Sequence, residues 1–115
     1  MDEGVEGIRA RLRRDLANAQ WLARQVEAAP DWQVVAPVVL QTVCVRYTPA
    51  GLDEPELSAR NLAIARRINS GGRAYLTPSL LDGKQMLRVS IGAERTEREH
   101  VAALWAALRE AAAAA

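Results

Sequence analysis

The chain has no phenylalanine, one cysteine, one lysine and one histidine in 115 residues. Each scarcity excludes something. A single cysteine, Cys44, makes neither an internal disulfide nor a cysteine metal cluster, which suits a reducing, cytoplasmic setting. No apolar run approaches the ~20 residues that a membrane-spanning helix needs, so no membrane partner is expected. The opening segment MDEGVEGIRARLRRD has no apolar stretch of the signal-peptide kind. Excess charge is missing too: 15 basic and 14 acidic side chains leave a net charge of +1. That balance exerts no long-range pull on nucleic acid. The arginines at 11, 13 and 14 sit among acids with no aromatic stacking platform beside them, so no nucleic-acid partner is expected.

What is present describes an ordinary globular chain, 50% hydrophobic and 25% charged. Residues 1–115 read as one domain, long enough to bury about two-thirds of its unfolded surface. Val5, Ile8, Leu12, Leu16, Leu22 and Val26 recur at helical spacing, which predicts an amphipathic helix from Gly4 to Ala28, stopped by Pro30. The β-branched run WQVVAPVVLQTVCVRYT is broken by Pro37 and predicts strands at 32–36 and 41–48. DEPE opens a second helix, with Asp53 as cap and Glu56 three residues on. Leu57, Leu62, Ala65 and Ile68 form its apolar stripe, and Gly71-Gly72 end it. Thr96 and Glu99 start a last helix with Val101, Leu104, Trp105 and Leu108 inward; the closing alanines read as a frayed tail. Trp21, Trp32 and Trp105 read as core or interface. The order αββαββα predicts an α+β fold, a four-stranded antiparallel sheet with helices on one face.

Between the last two helices, GGRAYLTPSLLDGKQMLRVSIG reads as a hairpin. Asp82-Gly83 is a two-residue type I′ turn signal. Closing it sets Leu81 opposite Lys84, and then Pro78 opposite Leu87, Leu76 opposite Val89 and Ala74 opposite Ile91 on one side. Ser79 faces Met86, Thr77 faces Arg88 and Tyr75 faces Ser90 on the other. Val43, Val45 and Tyr47 alternate against Thr42, Cys44 and Arg46 in the same way. The sheet thus has a core face and a polar, arginine-bearing face. Two readings of that second face stay open. Water covers it, as on many antiparallel sheets, or Arg88 grips a carboxylate or phosphate with its planar fork.

INSGGRAYLTPSLLDGKQMLRVSIG, followed by the capped TEREHV helix, resembles the C-terminal end of the group II pyridoxal-phosphate-dependent amino-acid decarboxylases, the family of the aromatic-L-amino-acid and glutamate decarboxylases. PDWQVVAPVVLQTVCVRYTP resembles the strand pair that precedes it, with Val45 where the family usually carries phenylalanine. The resemblance covers Gly4 to Leu108. It implies the small C-terminal domain of a fold-type I enzyme, a partner in the large cofactor-holding domain, an amino-acid substrate and a homodimer. The cofactor lysine, the aspartate at the pyridine nitrogen and the stacking histidine of such enzymes lie in the large domain, which this sequence does not contain. Pyridoxal phosphate is therefore expected in the intact enzyme and not in this chain, which is expected to be inactive alone, with no catalytic and no metal-binding residue of its own. Lys84 follows a turn, an exposed position, whereas a Schiff-base lysine needs a desolvated pocket. At the place of Arg88 the resemblance implies an arginine that binds the substrate carboxylate and sets the angle of the scissile bond to the cofactor ring. Arg46 and Arg73 read as lining the domain interface, His100 as surface and Cys44 as packing. A free-standing α+β module binding a small ligand on the same sheet face is the alternative.

Overall fold

A computed structural model describes residues 4–38, 41–70, 76–91 and 97–114. Three helices and four strands follow one another as expected: α1 (Gly4–Ala28), β1 (Trp32–Val34), β2 (Thr42–Tyr47), α2 (Glu54–Ser70), β3 (Leu76–Leu81), β4 (Lys84–Ser90) and α3 (Arg98–Ala114). The strands form one antiparallel sheet in the order β1-β2-β4-β3. β1 and β2 are shorter than the sequence suggests, but pairing continues past them. Val35 N donates to Cys44 O at 2.9 Å, and Thr48 N donates to Asp31 O at 2.7 Å.

The hairpin register is the expected one. Leu81 pairs with Lys84, Pro78 with Leu87, Thr77 with Arg88 and Leu76 with Val89. Asp82 and Gly83 both take left-handed backbone angles (φ 52° and 78°), as a type I′ turn requires. The pairs of Ala74 and Tyr75, the helix-ending signal at Gly71-Gly72 and the helix-starting signal at Thr96 lie outside the described residues. Pro78 is accommodated because β3 is an edge strand, where a missing N–H leaves no ladder bond broken.

Beneath the helices Val43, Val45, Leu76, Leu87 and Val89 are buried, and Ala19, Leu22, Val26, Ile64, Ile68, Val101 and Leu108 close over them. Trp32 meets Trp105 edge-on at 5.2 Å and Tyr47 at 5.1 Å, joining β1, β2 and α3 in one aromatic cluster. Trp21 is half-buried beneath the Arg98 guanidinium, 5.1 Å from its ring, so the first residue of α3 is tied to α1. Asp53 caps α2 as expected, its Oδ1 accepting from Glu56 N at 3.0 Å.

Three expectations need correction. In α1 the apolar stripe is buried only from Ala19 onward; Val5, Ile8 and Leu12 are exposed, and Leu16 is at 37%. The sheet and α3 lie along the second half of the helix, and among the described residues none covers Val5, Ile8 and Leu12 on the first half. In α2 the inward stripe holds Ile64 and Asn61, while Leu57 and Leu62 are only half-buried. The alanine tail is not frayed: α3 runs to Ala114, with Ala111 and Ala112 buried. Small side chains let the last turn of α3 approach the core closely, and that packing outweighs the lack of bulk.

Asn61 is a polar residue at the centre of this packing, fully buried. Its Oδ1 accepts from Tyr47 N, and its Nδ2 donates to Tyr47 O and Leu57 O, each at 2.8 Å. One side chain thereby supplies α2 with a main-chain-like bond to the end of β2. Replacing Asn61 with alanine strands Tyr47 N and O in a buried place and is expected to cost about 3 kcal/mol in chemical denaturation. A loss below roughly 1 kcal/mol would show that the clip is dispensable.

Candidate functional site

The sheet face turned away from the core is built from the odd-one-out positions of each strand. Across its middle runs the row Cys44–Arg88–Thr77, set by the two registers on either side of β4. Thr42 and Ser90 form the next row. Arg88 and Thr77 are exposed, as is Ser90, and Cys44 is half-buried. A guanidinium thus stands on the central strand pair among small polar neighbours, with its planar donor fork available to an incoming anion.

Arg46, the other arginine of this face among the described residues, has a different fate. It is 5% exposed. Its Nε donates to Gln85 O at 2.9 Å, and its terminal nitrogen pairs with the Glu54 carboxylate at the start of α2. Gln85 N in turn donates to Ser58 Oγ at 3.4 Å, so the first turn of α2, β2 and β4 are joined by one polar network. The expectation that Arg46 lines an open interface is corrected: it is a structural strut, buried by its own chain. Arg73 lies outside the described residues. Met86, on the same face, is also buried. Alternation in the sequence signals which face a residue takes, not what a neighbouring helix start does to that face.

Other candidates fall where expected. Lys84, the chain's one lysine, is exposed at the first position of β4 after the turn. Lys84 therefore does not supply a desolvated lysine for a carbonyl cofactor. His100 is exposed, its Nδ1 accepting from Glu97 N at 3.0 Å at the opening of α3. Among the described residues no cluster of three histidine, cysteine or acidic side chains could hold a metal ion, and no helix is long and apolar enough to cross a membrane. Sequence reasoning did not find the polar cluster near the middle of α1. There Arg98 Nε donates to Asn18 Oδ1 at 2.8 Å, and Gln41 Nε2 to Asp15 Oδ2 at 3.4 Å. Asp15 and Asn18 are buried, and nothing in a helical apolar pattern announces a buried acid or amide.

Fold and sequence together define the class: the chain matches the C-terminal region of the pyridoxal-phosphate-dependent amino-acid decarboxylases. No family model matches it. It is 33% identical to a tryptophan decarboxylase of Camptotheca acuminata over 110 residues, 95% of this chain and 22% of that protein. It is also 33% identical to a tyrosine decarboxylase of Narcissus pseudonarcissus over 117 residues, 96% of this chain and 23% of that one. The crystal structure of the Oryza sativa enzyme solved with pyridoxal phosphate and tryptamine superposes with a TM-score of 0.89 at 25% identity, over 96% of this chain and 24% of that one. Catharanthus roseus tryptophan decarboxylase in complex with L-tryptophan gives a TM-score of 0.86 at 27% identity, covering 96% of this chain and 23% of that one. The chain thus spans less than a quarter of the length of the relatives it matches.

The two arginines separate in stability measurements. Arg88→Met is expected to stay within about ±0.5 kcal/mol, as at most exposed positions. Arg46→Met, which leaves Gln85 O and Glu54 without their partner, is expected to cost about 2 kcal/mol by urea denaturation. Equal costs at the two positions would contradict the assignment of strut and open fork. For Lys84, borohydride reduction after incubation with pyridoxal phosphate is expected to trap no stoichiometric adduct at that residue by peptide mapping. A stoichiometric adduct there would overturn the reading of Lys84 as a solvated turn residue.

Proposed function

We propose that this chain is the C-terminal domain of a decarboxylase of aromatic L-amino acids, inactive alone, and that its open sheet face meets the large cofactor-holding domain at the active site. The carrying observation is the position of Arg88: exposed, mid-strand, flanked by Cys44 and Thr77, in a chain whose relatives include tryptophan and tyrosine decarboxylases. In this reading the Arg88 guanidinium receives the substrate carboxylate through two parallel hydrogen bonds. That contact orients the group to be lost and holds it away from water. The aromatic side chain of the substrate is left to the large domain, since the exposed neighbours of Arg88 are small and polar. The intact enzyme is a cytoplasmic homodimer in the same reading. A free-standing ligand-binding module would use the same face. The near-complete coverage of this chain by segments of much longer decarboxylases favours the first reading.

In the intact enzyme Arg88→Met is expected to raise KM and lower kcat for the amino acid. A charge-assisted bidentate contact is worth on the order of 1.5–3 kcal/mol, or roughly tenfold to a hundredfold in kcat/KM. Unchanged kcat/KM in that variant, measured by steady-state kinetics, would leave Arg88 a solvated surface residue.

A further inference from the structure

On the first half of α1, Val5, Ile8 and Leu12 are 63%, 51% and 52% exposed, and Leu16 is 37% exposed. Their spacing of three, four and four residues places them on one face of the helix. The same stripe continues without a break into Ala19, Ala23 and Val26, which are buried against the rest of the unit. One rigid helix therefore has an apolar seam whose second half is covered and whose first half is bare. A scattered exposed leucine needs no explanation, but four apolar side chains in one seam are an interaction surface.

The rim of the seam says what kind of surface fits it. Arg9 and Arg13 are exposed along one side, with Glu6 beside them paired to Arg9 at 3.5 Å. Arg14 is exposed as well. A second copy of this chain would bring arginines to arginines, which costs association energy. A lipid surface fits less well, because no aromatic residue lies on this half of the helix to anchor it at the headgroup level. A covalently attached polypeptide has the advantage of high effective concentration, and this unit is less than a quarter of the proteins it matches.

We propose that the first half of α1 is an interdomain docking helix. Val5, Ile8, Leu12 and Leu16 insert into an apolar groove on the remaining part of the intact enzyme, and acidic side chains rim that groove opposite Arg9 and Arg13. The inference rests on the reading of the chain as one domain of a larger decarboxylase and adds a second contact to it, on a helix rather than on the open sheet face.

The test compares the 115-residue chain with the intact polypeptide that contains it. Hydrogen exchange at the amides of residues 8–16 is expected to slow at least about tenfold in the intact protein relative to the isolated chain, since local openings there must undo the docking. The paired substitution Ile8→Glu with Leu12→Glu is expected to leave the melting temperature of the isolated chain within about 2 °C and to lower that of the intact protein by about 5 °C or more. Arg9→Glu with Arg13→Glu is expected to lower the intact protein's melting temperature and not the isolated chain's. Equal exchange in the two proteins overturns the proposal. So does a dimer of the isolated chain in sedimentation that the Ile8→Glu, Leu12→Glu pair dissolves, or sedimentation of the isolated chain with anionic phosphatidylserine vesicles that the same pair abolishes. A charge reversal without effect on the intact protein overturns the acidic rim. None of these readouts uses decarboxylation. Failure of the Arg88 assignment would show in kinetics while exchange and melting stayed as expected.

Discussion

The turn at Asp82-Gly83 constrains everything on the sheet. Two consecutive residues with positive φ close β3 onto β4 with no slack, and the pleat then assigns every side chain of both strands to a face. A slip of one residue would put Arg88 into the core and Leu87 and Val89 into solvent. β2 reads its own register from β4, so Val43 and Val45 are placed by the same turn at second hand. The helices then cover the apolar face that the turn created.

Polar contacts decide how the helices meet that sheet. Apolar side chains attract without direction, and α2 could slide along the sheet at small cost. Asn61 prevents this by bonding both main-chain groups of Tyr47. The Arg46–Glu54 pair fixes the other side of the helix start, with Gln85 and Ser58 completing the network. These groups are buried or half-buried and mutually satisfied, so they specify one arrangement where hydrophobic packing alone would allow several.

Two surfaces of the unit are unfinished in a consistent sense. The open sheet face offers a donor fork with no acidic partner among the described residues, and the first half of α1 offers an apolar seam with a basic rim. Under the proposed function, both features would be covered by the rest of a longer polypeptide. They differ in chemistry, one suited to a small anion and one to packed side chains, and so they ask for different partners.

The strands, the three helices, the hairpin register and the placement of Arg88 on the open face were legible in the sequence. Each of these depends on local chemistry: turn residues with positive φ, a capping Asp53, and the two-residue and 3.6-residue periods. Periodicity also marked the α1 stripe, but it gives only which residues share a face, and coverage of that face depends on elements distant in the chain. For the same reason the alanines at 111 and 112 looked like a tail by composition, although the core lies against them. Arg46 and Arg88 alternate identically in their strands and differ only because Glu54 and the start of α2 reach one and not the other. Asn61 carries no local signal for its clip to the sheet, since that partner is Tyr47, fourteen positions away. The sequence alone determined which faces exist; the tertiary structure decided which were covered, because burial is a property of long-range neighbours and not of periodicity.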